Sequence, residues 1–339
     1  MTWEIRQGRN LDLLAEMPAE SVQTCITSPP YWGLRDYGEE DQLGLEPTPK
    51  EYVENMVAVF REVRRVLRDD GTLWLNLGDS YAGSWGVQSR GGPPSDKSTL
   101  SGNGHNGGGP KIAGLSATQI QAHPKRTKTG SWVKDHDSLK PKDLVGIPWR
   151  VAFALQADSW YLRSDIIWHK PNPMPESVTD RPTKAHEYIF LLTKQPRYYY
   201  DANAIREGDS GRPSGNGFVR DHRLSYLNAD GTARGNEQQW EPGRGRNRRS
   251  VWTVSTKPFS GAHFAVFPPD LIEPCVLAGC PETGTVLDPF SGSGTTGMVA
   301  LRHGRSYLGL ELNPEYAEMS RNRIRDDAPL LNTGLEVVA

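Results

Sequence analysis

The sequence predicts an α/β fold with a doubly wound, mostly parallel sheet that is interrupted by loop-rich insertions. Residues 21–79 contain a strand, a helix and a second strand in that order. Residues 285–312 repeat this order, with a glycine-rich turn between the strand and the helix. Long stretches rich in Gly, Ser and Pro separate the regular segments, and such compositions are typical of loops.

Composition limits the classes of protein that are possible. The chain has 339 residues, enough for one large domain with insertions or for two domains. Lys and Arg (39) nearly balance Asp and Glu (41), so net charge alone does not indicate a nucleic-acid partner. Cys25, Cys275 and Cys280 have neither metal-ligand spacing nor that of a secreted disulfide framework, and we predict no metal site. With no long apolar run, we expect a soluble cytoplasmic protein without a membrane partner.

The first regular unit is a βαβ unit. Residues 21–27 form a short apolar run that predicts a buried strand, and residues 71–79 predict a second strand. Between them, residues 49–69 carry apolar side chains every three or four positions, the spacing of an amphipathic helix. A strand, a helix and a strand in succession favour parallel pairing of the two strands.

The middle of the chain alternates irregular and regular segments. Residues 81–138 are too rich in Gly, Ser and Pro to form a core, and we interpret them as a flexible insertion, either a loop that orders on binding or a dispensable one. Residues 143–158 then predict a helix, and residues 160–170 and 186–194 predict strands. Residues 201–250 are again irregular. Their end is basic and suits contacts with phosphates, through Arg244, Arg246, Arg248 and Arg249.

The last unit carries a glycine-rich loop. Residues 292–297, GSGTTG, match the pattern G-x-G-x-x-G between a predicted strand (285–290) and a predicted helix (294–303). The N-terminus of a helix binds anions through free N–H groups, and Glu311, at the end of the next strand (306–312), suits ribose hydroxyls. A nucleotide-dependent oxidoreductase is one alternative. The loop begins Asp-Pro-Phe, however, and residues 312–339 are too few for the second half of a dinucleotide-binding fold, which favours S-adenosylmethionine.

Two motifs together resemble those of the amino-group DNA methyltransferases. They are TSPPYW at residues 27–32 and DPFSGSGTT at residues 288–296. Their order resembles the β arrangement, in which the catalytic motif precedes the cofactor motif. Residues 181–194, 261–279 and 311–324 also resemble segments of that family. The resemblance covers residues 1–80, 139–200 and 250–325, and it implies a Rossmann-like, S-adenosylmethionine-dependent methyltransferase fold with permuted motif order.

The resemblance also implies the residues of the site. For the cofactor, S-adenosyl-L-methionine, they are Asp288, Pro289, Phe290, Ser291, Gly292, Ser293, Gly294, Thr295, Thr296 and Glu311. For catalysis, they are Ser28, Pro29, Pro30 and Tyr31. Ser28 and the Pro29 carbonyl would accept the two hydrogens of a nucleobase amino group, and Tyr31 would stack on the base. A base inside a duplex cannot be reached, so the target base must be flipped out.

The target base is the point on which alternatives stay open. In the resembled family, Ser at the first motif position goes more often with N4 of cytosine, and Asp with N6 of adenine. We therefore favour N4-cytosine over N6-adenine. C5 methylation requires a cysteine nucleophile, and Cys25 lies inside the predicted strand instead. A DNA-binding protein that has lost catalysis is a further alternative, against which the intact motifs argue.

The remaining expectations concern organisation and single residues. Residues 1–80, 139–200 and 251–325 form the catalytic domain, residues 201–250 a target-recognition region and residues 326–339 a tail. The resemblance implies double-stranded DNA as the partner, a cognate restriction endonuclease as a second partner, and a bacterial or phage origin. Trp32 is expected either to pack or to stack on a base. Asp79 and the segment 170–173 are candidate ligand contacts, and His186 and Glu187 are predicted to be structural.

Overall fold

The computed structural model describes residues 1–34, 36–39, 41–82, 139–140, 142–208, 245–257 and 266–327. The strands are β1 (Trp3–Gln7), β2 (Val22–Thr27), β3 (Leu67–Leu77), β4 (Tyr161–His169), β5 (His186–Thr193), β6 (Val251–Thr253), β7 (Thr285–Asp288) and β8 (Ser306–Glu311). The helices are α1 (Asn10–Glu16), α2 (Pro49–Val66), α3 (Ile147–Ala157), α4 (Pro269–Gly279), α5 (Thr295–Arg302) and α6 (Pro314–Asp327). No helix in these ranges is long and apolar enough to cross a membrane.

The strands form a single sheet in the order β1-β8-β7-β2-β3-β5-β4-β6. All neighbours pair in parallel except that β5 is antiparallel to both β3 and β4. The unit β2–α2–β3 extends the sheet in one direction, and β7–α5–β8 extends it in the other. The strand order therefore reverses between β2 and β7, which pair through Cys25 and Leu287. Ligands of such sheets bind at the carboxyl ends of the strands where the order reverses.

Helices cover both faces of the sheet, which confirms the predicted doubly wound architecture. Because side chains alternate along a strand, β3 contributes Leu73 and Leu75 to the core under α1, α2 and α3. Trp74, between them, points into the second core under α4, α5 and α6. The continuous apolar runs of the central strands follow from burial on both faces.

The predicted elements are present, with boundaries that local chemistry explains. Helix α2 begins where Thr48 accepts a hydrogen bond from the Glu51 N–H at 3.1 Å, with Pro49 in its first turn. It ends at Val66 rather than 69, because β3 already begins at Leu67. Strand β7 ends at residue 288 rather than 290, since proline follows it. Strands β1 and β6 and helix α1 were not predicted. The predicted insertion lies outside the described residues from residue 83 to 138.

Candidate active site

A cavity of about 680 Å³ opens at the carboxyl edge of the sheet, above the junction of β2 and β7. The residues after β2, including Ser28 and Tyr31, form one wall of the cavity. The glycine loop after β7 and Glu311 at the end of β8 form another wall. The fold therefore places the two sequence motifs on one cavity, as the permuted order requires.

Asp288 anchors the glycine loop from below. Its Oδ1 atom accepts hydrogen bonds from the Thr27 hydroxyl at 2.6 Å and the Phe290 N–H at 3.1 Å. Its Oδ2 atom accepts from the Thr296 hydroxyl at 2.7 Å. Burial raises the pKa of Asp288 to about 6, although these three donors oppose the shift. The carboxylate thus ties β2, the loop and α5 together.

The loop is supported from behind by α6. Gly294 has φ +75°, and a Cβ atom there would lie 2.3 Å from the Ser320 hydroxyl oxygen. The Arg323 guanidinium donates to the side-chain oxygens of Ser293 at 2.8 Å and Thr295 at 2.7 Å. Only glycine fits between the loop and α6 at position 294, because any side chain would meet both backbone strain and a steric clash.

Glu311 closes the other side of the loop. Its Oε2 atom accepts from the Gly292 N–H at 2.7 Å, and its Oε1 atom accepts from the Asn313 N–H at 3.0 Å. Desolvation raises the pKa of Glu311 to about 7. A carboxylate oxygen can accept more than one hydrogen bond, so both oxygens retain capacity toward hydroxyl donors.

This wall has the donors and acceptors that a nucleoside-containing ligand needs. Glu311 offers acceptors for a ribose diol, and the loop exposes the backbone of Gly292 to the cavity. Most of the cofactor residues implied by the sequence line the cavity, namely Asp288, Pro289, Phe290, Ser291, Gly292, Ser293, Thr295 and Glu311. Gly294 and Thr296 lie behind them, where they hold the loop through packing on Ser320 and the bond to Asp288.

The proline corner after β2 is held rigidly. The Tyr52 hydroxyl donates to the Pro30 carbonyl at 2.9 Å. The Tyr31 ring packs against Gly78, where a Cβ atom would lie only 2.4 Å from the ring. Trp32 is 3% exposed, and its indole N–H donates to the Glu46 carbonyl at 2.9 Å. Trp32 is therefore a packing residue, and the alternative that it is a second stacking ring is wrong.

A polar network connects the corner to the neighbouring strands. The Tyr31 hydroxyl lies 2.7 Å from Glu187 Oε2 and 3.1 Å from Asn76 Oδ1. Burial and the charge of Glu187 raise the pKa of Tyr31 well above its usual value, so its hydroxyl remains a donor. Ser28 donates to Asn76 Oδ1 at 3.3 Å.

Glu187 and Asn76 are site residues that the sequence analysis missed. Glu187 was interpreted as structural, but it lines the cavity and its carboxylate pairs with the Lys170 ammonium. Because β5 runs antiparallel to its neighbours, its first residues lie at the carboxyl edge of the sheet. A charged residue at the start of an otherwise apolar strand was the available signal. His186, beside it, packs edge-on against Tyr188.

Of the other candidate ligand contacts, one lines the cavity and two make structural hydrogen bonds. Lys170 lines the cavity, whereas Asn172 bonds to the backbone of Thr256. Asp79 Oδ1 accepts from the N–H groups of Gly146 and Ile147, at 3.0 and 3.1 Å, and so caps α3. A structural role for Asp79 accounts for its position at the end of β3.

The predicted basic segment is only partly described. Arg244 lies outside the described residues. Arg246 and Arg249 pair with Glu207, and Arg248 packs over the Trp252 ring at 4.6 Å. The described residues contain no cluster of side chains that could hold a metal ion.

The fold and the site together define a class, an α/β protein in which a glycine loop and a Ser-Pro-Pro-Tyr corner line one cavity. A family model described as DNA methylase, for the N6 and N4 enzymes, matches residues 22–322. The chain belongs to this N6/N4 DNA methylase family. It is a DNA methyltransferase.

Particular relatives match over almost the whole chain. The Type II methyltransferase M.Cfr9I of Citrobacter freundii is 45% identical, over 95% of this chain and 87% of the relative. M.XycI of Xanthomonas campestris pv. cyanopsidis is 46% identical, over 94% of this chain and 86% of the relative.

Two solved structures share the fold. The PvuII DNA methyltransferase (cytosine-N4-specific) has a TM-score of 0.58 at 17% identity, over 99% of this chain and 95% of the other. A DNA modification methylase of Thermus thermophilus, complexed with S-adenosyl-L-methionine, has a TM-score of 0.55 at 20% identity, over all of both chains.

Proposed function

We propose that this enzyme transfers the methyl group of S-adenosyl-L-methionine to N4 of cytosine in DNA. The observation that carries the proposal is Ser28, which lines the cofactor cavity as the first residue of the Ser-Pro-Pro-Tyr corner. In the family, enzymes with serine at this position more often methylate cytosine. The similarity in fold to a methyltransferase named as cytosine-N4-specific supports the same base.

The residues of the corner account for the chemistry. S-adenosyl-L-methionine supplies an electrophilic methyl group when bound. The lone pair of an exocyclic amino nitrogen is delocalised into the base, so the amino group must be held and turned toward the methyl. Ser28 and the Pro29 carbonyl accept its two hydrogens, which draws the lone pair out of conjugation. Tyr31 stacks on the flipped base.

The cysteines are consistent with direct transfer to an amino group. Cys25 is fully buried inside β2, and Cys275 and Cys280 are buried at α4. Burial raises the pKa of the Cys25 thiol well above its usual value, which disfavours the thiolate that a nucleophile requires. Methyl transfer to C5 of cytosine through a cysteine adduct has no support from this geometry.

One experiment distinguishes the two amino-group targets. Purified enzyme is incubated with mixed-sequence duplex DNA and cofactor carrying a labelled methyl group, and the DNA is digested to nucleosides for mass spectrometry. Labelled N4-methylcytosine is expected. Labelled N6-methyladenine in its place would overturn the choice of base and leave the enzyme class intact.

We propose that the segment 201–250, part of which is described, recognises the target sequence, and that a cognate restriction endonuclease acts on the same site. Arg249 is exposed and belongs to this segment. Replacing it (Arg249→Gln) is expected to weaken DNA binding and to lower the slope of log affinity against log salt by about 1. Arg68→Gln is the matched control, because Arg68 is a similarly exposed arginine at the start of β3, away from the cavity. An unchanged slope for Arg249→Gln would remove this arginine from the DNA interface.

A further inference from the structure

Lys170 and Glu187 form a charged pair beside the proline corner. Lys170 follows β4 and Glu187 lies at the start of β5, and the Lys170 N–H bonds to the Ala185 carbonyl at 2.8 Å. Their side chains are 18% and 15% exposed, and the ammonium also lies 4.2 Å from the centre of the Trp168 ring. A carboxylate this buried needs a partner, and Lys170 supplies it.

Glu187 contacts two groups that touch the reaction site. Its Oε2 atom accepts from the Tyr31 hydroxyl at 2.7 Å and from the Asn76 amide at 3.4 Å. The Tyr31 hydroxyl has a single hydrogen, and the shorter contact, to an ionised carboxylate, is the stronger one. The Asn76 oxygen is then left to accept a hydrogen from another donor.

The orientation of the Asn76 amide follows from its surroundings. Its Nδ2 atom lies 3.0 Å from the Tyr188 carbonyl, which can only accept, and it faces Glu187, which also only accepts. The amide oxygen must therefore point the other way, toward Ser28. Since that oxygen cannot donate, the Ser28 hydroxyl gives it its hydrogen.

This arrangement determines what Ser28 can offer a substrate. A hydroxyl whose hydrogen is committed to Asn76 presents only lone pairs to the cavity. We propose that Glu187, paired with Lys170, is a positioning residue that sets Tyr31 and Asn76 so that Ser28 accepts a hydrogen from the target amino group. The inference rests on the proposed transfer to an amino nitrogen, but it holds for N4 of cytosine and N6 of adenine alike.

The first test is Glu187→Gln, measured by the single-turnover rate of methyl transfer with DNA and cofactor at saturation. The rate is expected to fall by about 30-fold or more, while the Kd for cofactor changes by less than about threefold, since Glu187 does not hold the nucleoside. Glu282→Gln, an exposed position at the opposite edge of the sheet, is the matched control and should keep the rate. An unchanged rate in Glu187→Gln would overturn the proposal.

The second test separates positioning from folding. If Glu187 acts through Tyr31, then adding Tyr31→Phe to Glu187→Gln should lower the rate by less than the same change does in the native enzyme. Lys170→Arg, which keeps the positive charge, should retain more of the rate than Lys170→Met. Additive effects of Glu187 and Tyr31, or equal rates in the two Lys170 variants, would count against a positioning role. Both comparisons are read on whichever methylated nucleoside the native enzyme produces, so a wrong choice of base does not affect them.

Discussion

Thr27 donates a 2.6 Å hydrogen bond to Asp288 across the boundary between β2 and β7. Thr27 immediately precedes the Ser-Pro-Pro-Tyr corner, and Asp288 immediately precedes the rest of the cofactor loop. One buried bond therefore connects the segment that we propose holds the amino group to the segment that we propose holds the methyl donor. Together with the backbone pairing of β2 and β7, this contact joins two motifs that are far apart in sequence.

Replacing Thr27 by valine tests the energetic weight of that bond. Thr27→Val is expected to lower the free energy of unfolding by about 1.5–3 kcal/mol at pH 7.5, the range for hydrogen bonds to charged groups. Because burial raises the pKa of Asp288 to about 6, the loss should be smaller at pH 5.5, where the carboxyl is mostly protonated. Urea unfolding at the two pH values measures this difference.

The control for this change lies on the same strand. Thr24 is also fully buried in β2, but its hydroxyl bonds to the neutral Thr72 at 2.8 Å. Thr24→Val should lower the free energy of unfolding by the same amount at both pH values. A pH-independent loss in Thr27→Val as well would show that the Asp288 charge contributes nothing to the bond.

Gly294 and Gly304 separate backbone strain from steric clash. Both have φ +75°, but a Cβ atom at Gly294 would meet Ser320 at 2.3 Å, whereas Gly304 has no atom within 4 Å. Gly304→Ala should lower the free energy of unfolding by about 1 kcal/mol, the contribution of backbone strain alone. Gly294→Ala should lower it by at least about 2 kcal/mol and should also weaken cofactor binding. Equal losses in urea unfolding would mean that the loop relaxes away from α6.

Local patterns allowed much of the fold to be predicted. Helix α2 follows from apolar positions at helical spacing, and β2 and β8 follow from short apolar runs, because these signals lie within one segment. Strand β1 is different, since it is stabilised by pairing with β8 near the other end of the chain. Strand β6 has only three residues and depends on β4. Neither strand has a local pattern strong enough to predict it.

The site was predictable to the extent that its residues belong to motifs. The corner at Ser28 and the loop before Thr295 were predicted because their motifs resemble those of a known family, and both line the cavity. Glu187 and Asn76 reach the site through the position of β5 next to β3, which no local pattern indicates. Asp79 was a candidate ligand contact because it follows a strand near the predicted cleft. A carboxylate at a strand end also suits the N-terminus of a neighbouring helix, and Asp79 caps α3.

The buried cysteine of β2 should not be needed for methyl transfer. Cys25→Ala should keep methyl transfer within about threefold of the native rate, because direct attack by an amino group needs no thiolate. DNA containing 5-fluorocytosine should form no denaturation-resistant complex with the native enzyme. Cys275→Ala, buried in α4, is the control for any loss of stability. A trapped complex that depends on Cys25 would show attack at carbon instead.

The pH dependence of cofactor binding should report the ionisation of Glu311. The ionised carboxylate accepts hydrogen bonds from ribose hydroxyls, and protonation removes part of that capacity. Because burial raises the pKa of Glu311 to about 7, it is mostly ionised at pH 8 and mostly protonated at pH 6. The affinity for S-adenosyl-L-methionine should therefore fall as the pH is lowered from 8 to 6, by about tenfold at most, the limit in which only the ionised form binds. Titration calorimetry across this range measures it. Glu311→Gln should bind weakly throughout and lose most of this dependence, and a slope that survives in Glu311→Gln would assign the titration to another group.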